Sequence, residues 1–392
     1  MEIVSPPELK RLLAIPHKLL MGPGPSNLSP RILHALSQPV LGHMDPDVFR
    51  IMDEIKKGLQ YMFQTKNKLT LCVSASGHAG METVLCNLVE PGDKVLVLVN
   101  GIWGKRAVDM AQRYGATVQK MQNRDLRENF SLIEIENAVS KFKPKIFFAV
   151  QGESSTGVYQ PLEGIGEITK RYNCLLVVDT VASLGAVPLK MDAWKIDAVY
   201  TASQKVIGTP PGLALLSFSE RAQKVIRERK SKVLVYFFDI KLLGQQWKCF
   251  EEDLPRIYHH TTCANLLYAL REGLAVITEE GLENVIQRHE QCAQQLYKGL
   301  AEMGLELFVE DEQKRLPSVT TIKVPPNVIW TDVVDFAMKN YHLEVSGGLD
   351  STAGKVWRIG IMGYNAKPKN IIFILSVLKE ALEHCNKKIS KL

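Results

Sequence analysis

Apolar residues recur along this chain in two alternating periods. Between residues 47 and 63, Val48, Ile51, Met52, Ile55, Leu59 and Met62 fall on one face of a helix, with Asp47 placed to cap it. A short apolar run at 70–74 predicts a strand, followed by a glycine turn and a helix over 77–89. The alternation continues: Pro91-Gly92-Asp93 turns the chain into a strand at 94–99, a helix runs through 107–113, and 145–150 is the next strand. A helix over 165–172 leads into a strand ending at Asp179, and 196–200 is a further apolar strand. Near-continuous apolar strands separated by helices are what a parallel sheet covered on both faces requires. The expected fold is therefore α/β, a three-layer domain around a mostly parallel sheet.

Past about residue 278 the texture changes. A long amphipathic helix over 282–303 precedes apolar segments at 305–309 and 318–324, a helix over 331–340, a strand at 356–361 and a helix over 369–384. This predicts a smaller α+β domain, and a division into an N-terminal arm (1–17), a large domain (18–278) and a C-terminal domain (279–392). Residues 230–262 have weak periodicity and three adjacent aromatics, Tyr236, Phe237 and Phe238, which suggests surface structure or a subunit contact. There is no internal repeat and no low-complexity stretch.

Composition narrows the function classes. The 392 residues are 46% hydrophobic and 23% charged, ordinary for a globular chain, and the formal charge of +6 comes without a basic face carrying aromatic platforms. Nucleic-acid binding is not expected. No apolar run approaches the roughly 20 residues of a spanning helix, so no membrane span is expected. Seven scattered cysteines without a CxxC pair suggest neither a disulfide framework nor a zinc site, and fit a reducing compartment. The prolines at 6, 7 and 16 interrupt the early apolar patch, against a secretory signal. The closing Ser390-Lys391-Leu392 matches the tripeptide read by the peroxisomal import receptor, so a peroxisomal address is expected.

The candidate chemistry lies at strand ends, where open α/β sheets bind ligands. Asp179 ends one buried strand, and Lys205, in Ser203-Gln204-Lys205-Val206, follows another. An amine for a Schiff base and a carboxylate for a pyridinium nitrogen are the two groups a pyridoxal phosphate enzyme needs. Asp179 could equally cap the turn from Val181 onward, and Lys205 could be a loop lysine, although the turn around Gly208, Pro210, Pro211 and Gly212 is too constrained for a free tether. Ser74-Ala75-Ser76-Gly77-His78 lies between strand and helix, where converging N–H groups suit a phosphate; a plain helix cap is the simpler alternative. Trp103 could stack on a flat ring or plug the core. Gly152-Glu153-Ser154-Ser155-Thr156-Gly157 offers hydroxyls at the same edge. Arg358 interrupts an apolar strand and needs an anion, either a substrate carboxylate or an internal salt bridge.

Taken with Met21-Gly22-Pro23-Gly24-Pro25-Ser26-Asn27 and Asn100-Gly101-Ile102-Trp103, these motifs make the chain resemble the alanine–glyoxylate aminotransferase group of class V, fold-type I pyridoxal phosphate enzymes, over about residues 16–363. The resemblance implies that Lys205 carries the cofactor, Asp179 pairs with its ring nitrogen and Trp103 stacks on the ring. Ser76, Gly77, His78 and Gln204 would hold the phosphate, joined by Tyr258 and Thr261 from the other subunit of a homodimer. Arg358 and Ser154, with the backbone near Gly24, would grip the substrate carboxylate. The implied substrates are small amino and 2-oxo acids: alanine would give up its amino group to glyoxylate, leaving pyruvate and glycine by ping-pong kinetics, with Lys205 as the proton carrier.

A similar group, the insect 3-hydroxykynurenine transaminases, shares nearly all these motifs and also uses glyoxylate. The discriminating stretch is 41–45, where His43 and Met44 stand; serine is a further conceivable donor. Cysteine desulfurase chemistry is disfavoured, because none of the seven cysteines lies in a flexible glycine-rich loop near the strand of Arg358. A non-catalytic binding protein on the same fold is opposed by the presence of both Lys205 and Asp179.

Overall fold

A computed structural model describes residues 4–250 and 254–389, with side chains to residue 385. Its centre is a seven-stranded sheet built from β1 (Thr70–Val73), β2 (Lys94–Val99), β3 (Thr117–Gln122), β4 (Ile146–Val150), β5 (Leu175–Asp179), β6 (Ala198–Ala202) and β7 (Ala214–Phe218). The spatial order is β1-β7-β6-β5-β4-β2-β3. Only β7 runs against its neighbours, pairing antiparallel with both β1 and β6. All residues of β1, β4, β5, β6 and β7 are buried, as a sheet covered on both faces demands. Helices α1 (Pro46–Phe63), α2 (Gly77–Leu88), α3 (Ile102–Arg113) and α4 (Ala264–Glu280) pack around this core.

Several elements depart from the expectation. The cap of α1 is Asp45, whose carboxylate accepts from the Asp47 N–H at 2.8 Å; Pro46 takes the first helical position, where its missing N–H costs nothing. Strand β7 hides in a short apolar run behind the proline- and glycine-rich turn after Lys205. Edge strand β3 carries the polar sequence TVQKMQ, and α4 is apolar on too many sides for one clean stripe. Segment 230–262 is not merely surface: a short helix, Ile240–Gln246, buries Ile240, Leu243 and Trp247 in the main core.

A second core gathers around β8 (Val319–Lys323), β9 (Ser346–Gly347) and β10 (Val356–Gly360), ordered β8-β10-β9 and all antiparallel. Residues 305–309 make no strand of their own, only a bridge from Leu307 to Ile322. Met21 sits in this second core, and Leu19–Leu20 pairs with Leu343–Glu344. Helix α5 (Leu282–Glu302) belongs to both units. Leu282 and Val285 face the first core, while Cys292, Ala293, Leu296 and Leu300 face the second.

Candidate active site

The carboxyl ends of β5 and β6 bring three groups together. Asp179 and Tyr200 are register partners, and the Tyr200 hydroxyl donates to Asp179 Oδ2 while the Val181 N–H donates to Oδ1 at 2.8 Å. Asp179 is 3% exposed. Burial pushes its carboxyl up to about 6, opposed by the Tyr200 and Val181 hydrogen bonds and by the positive charge of Lys205. At neutral pH it is therefore mostly an anion, buried and ready for a cation.

Lys205 follows β6 on a turn closed by Thr209, whose N–H and hydroxyl both donate to the Ser203 carbonyl, at 3.1 and 3.0 Å. The Lys205 ammonium donates to the Pro23 carbonyl. Burial, followed by the charge of Arg358, pulls the lysine down to about 8, with Asp179 pulling the other way. A substantial neutral fraction at physiological pH is what a nucleophilic or proton-carrying amine needs. Gly24 makes this approach possible: its φ is +92°, and a Cβ there would lie 2.7 Å from Lys205 Nζ.

The phosphate-type corner is the N-terminus of α2. Ser76 is the cap residue but makes no side-chain cap bond, which leaves its hydroxyl and the first helical N–H groups available. Gly77 packs against β6 so closely that a Cβ would lie 2.7 Å from the Ala202 side chain. His78 faces Arg106 at 3.3 Å, and burial followed by that guanidinium lowers its pKa. The Gln204 amide, beside Lys205, keeps its oxygen buried without a partner. His260 reaches the same corner, its Nε2 lying 2.9 Å from Ser74 Oγ.

On the other flank, Trp103 near the start of α3 is held from two directions. Its indole N–H donates to Ser154 Oγ at 2.8 Å and its backbone N–H donates to Glu153 Oε2 at 3.1 Å. The guanidinium of Arg106 lies 4.9 Å from its ring centroid. Arg358 on β10 donates from Nε to the Gly347 carbonyl at 2.7 Å and from Nη1 to the Ser154 carbonyl at 3.0 Å. Among the described residues no carboxylate forms an ion pair with it, so the internal salt bridge is not what this arginine makes. Burial lowers its pKa and Glu153 opposes that fall, which leaves a desolvated cation able to bind a carboxylate.

Thus Lys205, Asp179, Ser76, Gly77, His78, Gln204, Trp103, Ser154, Arg358 and Gly24 frame one crevice. His43, Met44, Tyr258 and Thr261 make no hydrogen bond to these groups among the described residues. Tyr258 is 57% exposed, its hydroxyl 3.2 Å from Thr261 Oγ1 and its ring centroid 4.9 Å from that of His43; Met44 is also exposed. Sequence reasoning passed over Tyr200, Glu153 and His260 as individual site groups. Tyr200 was legible only through the β5–β6 register, and Glu153 as an acid inside a buried strand-end motif.

The residues present fit pyridoxal phosphate: a desolvated amine, a buried anion, a helix N-terminus without a side-chain cap, a held indole, and a glycine at 24 whose Cβ would crowd the amine. A mostly parallel sheet with one reversed strand, carrying this set at its carboxyl edge and an arginine from a second unit, defines a fold-type I transferase. Residues 32–369 match the aminotransferase class-V family, and the chain belongs to it. It is 51% identical to an alanine–glyoxylate aminotransferase of Drosophila melanogaster, covering 98% of this chain and 97% of that one. Among solved structures it resembles an alanine–glyoxylate aminotransferase from Nostoc (42% identity, 97% and 100% coverage, TM-score 0.91). A ureidoglycine–glyoxylate aminotransferase from Bacillus subtilis is also similar (36% identity, 96% and 95% coverage, TM-score 0.92).

Proposed function

We propose that this aminotransferase uses pyridoxal phosphate to move the amino group of L-alanine to glyoxylate, giving pyruvate and glycine. The observation that carries the reading is the pairing of a lysine drawn down to about 8 with a buried, largely ionised Asp179, facing an arginine that has no carboxylate of its own. The names of the similar proteins support glyoxylate as acceptor.

When bound, the cofactor supplies an aldehyde carbon that takes up the amino group and a ring that accepts electrons. The chain's residues do the rest. Ser76, Gly77, His78 and Gln204 would hold the phosphate, Trp103 would pack against the ring, and Asp179, largely anionic, would favour a protonated ring nitrogen. Arg358 takes the substrate carboxylate, with Ser154 and the backbone at Gly24 beside it. Lys205, drawn down to about 8 and so partly neutral, would take the proton from the amino-acid Cα and hold it for return. The same residues run the sequence backwards with glyoxylate.

Tyr258 and Thr261, exposed in this chain, reach the phosphate of a second subunit, so the working form is a homodimer with shared sites. The peroxisomal address, Ser390-Lys391-Leu392, lies outside the described residues and is proposed from the tripeptide alone. A fluorescent reporter carrying these residues at its C-terminus should become peroxisomal and lose that on removal of Leu392.

The purified protein should be yellow, with a visible band that shifts on addition of alanine. A colourless, folded protein that binds no pyridoxal phosphate would overturn the reading. Specificity constants for alanine, serine and 3-hydroxykynurenine with glyoxylate as acceptor decide the donor, and a preference for 3-hydroxykynurenine would replace alanine.

A further inference from the structure

Glu153 is fully buried yet touches neither Lys205 nor Asp179 by hydrogen bond. Every oxygen it has is used on the backbone that carries other site residues. Oε2 accepts the Trp103 N–H at 3.1 Å; Oε1 accepts the Ser155 N–H at 3.0 Å and the Ser155 hydroxyl at 2.6 Å. Ser155 Oγ in turn accepts the Ile102 N–H at 3.2 Å, so the start of α3 and the loop after β4 are tied twice. Between the two tied residues lies Ser154, whose hydroxyl takes the Trp103 indole and whose carbonyl takes Arg358. The circuit also reaches the second unit, because the Thr352 hydroxyl donates to the Ser155 carbonyl at 3.0 Å. Gly101 closes against it: a Cβ there would lie 2.4 Å from the Glu153 carboxyl carbon.

We propose that Glu153 is a positioning residue that fixes the indole of Trp103 and the guanidinium of Arg358 relative to each other, so that cofactor stacking and substrate-carboxylate binding are set by one buried carboxylate. The inference rests on the proposed function of this site. Two features support it. Three donors from Trp103 and Ser155 fill most of the roughly four lone-pair sites of this buried carboxylate and fix its orientation. Burial also pushes the Glu153 carboxyl up to about 7 against the pull of the Ser155 and Trp103 donors, and its charged form opposes the fall of the Arg358 pKa.

The informative variant is Glu153→Gln. Its amide can satisfy Ser155 through the oxygen, but its NH2 then faces the Trp103 N–H, donor against donor. The expected result is a roughly tenfold weaker binding of pyridoxal phosphate by the apo-protein, read by tryptophan fluorescence quenching, together with a roughly tenfold higher KM for the amino donor. At saturating cofactor and donor, kcat should move much less. Ser155→Ala, which removes the hydroxyl bonds to Glu153 and from the Ile102 N–H but leaves the Trp103 N–H bond to the carboxyl in place, should show the same split at smaller size, and it serves if Glu153→Gln does not fold. A loss of melting temperature with unchanged cofactor affinity and unchanged KM in the folded fraction of both variants would reduce Glu153 to a packing role and overturn the proposal. If the unaltered chain binds no pyridoxal phosphate, it is the functional reading that fails, and the two failures are distinguishable.

Discussion

The floor of the crevice and its rim are built on opposite principles. On the floor, Asp179, Glu153 and Trp103 each have partners within this one chain, and each partner is set by strand register or a helix start. On the rim, Tyr258 and Thr261 bond mainly to each other while His259 Nδ1, His260 Nδ1 and Thr262 Oγ1 are buried without partners. A floor that is complete can fix geometry to a fraction of an ångström. Tyr258 and Thr261 themselves are exposed in one chain, which suits the role proposed for them at a second subunit.

The difference can be broken most violently on the floor. Lys205→Ala removes both the covalent tether and the proton carrier, and turnover should fall by about 10⁴-fold or more in steady-state assays. A residual rate within tenfold of the parent would show that another amine carries the proton. Next in size is Arg358→Ala: KM for the amino donor should rise by about 10²-fold while cofactor affinity, measured separately, changes little. Equal loss of both would mean the arginine holds the floor together and not the substrate.

Tyr200→Phe should act more gently and through pH. The hydroxyl stabilises the charged form of Asp179, so its loss raises that pKa above about 6 and moves the acid limb of kcat/KM upward. The variant should lose about tenfold at pH 6 and little at pH 8; a uniform loss at both would place the effect elsewhere. The smallest change belongs to the rim. Tyr258→Phe should speed cofactor release a few-fold without altering the acid limb, as expected for one neutral hydrogen bond. Mixing it with Lys205→Ala chains sharpens the comparison. If Tyr258 serves the partner's site, a mixed dimer has one site lacking both groups and one carrying both intact, so its one active site should release cofactor at the parent rate rather than the faster Tyr258→Phe rate.

Much of the floor was legible because strand ends advertise themselves. Asp179 closes an apolar run, Lys205 sits in a proline-braced turn, and Arg358 is a charge where the pattern demands an apolar residue. What stayed hidden depends on pairing across the sheet. Nothing in Ala198–Ala202 announces that Tyr200 lies beside Asp179 until the register is known. Strand β7 has no clear signature because four apolar residues and a serine fit a strand or a buried turn equally well, and its antiparallel direction is a topological fact with no local signal. The cap of α1 slipped by two residues because Asp45 and Asp47 both suit a cap, and only Pro46 between them decides. The rim was legible only as composition: aromatics and histidines near 236–260, with no period to place them.

The reach of Lys205 depends on an atom that is missing. Beside the carbonyl on which its ammonium rests, position 24 offers only a hydrogen where a Cβ would lie 2.7 Å from the amine. A methyl group at that point would act as a wedge lodged inside the enzyme, competing with the amine for the same few cubic ångströms at every turnover. The chain thus carries an inhibitor of its own amine one substitution away, covalently attached, permanently at full local concentration, and beyond the power of any substrate to displace.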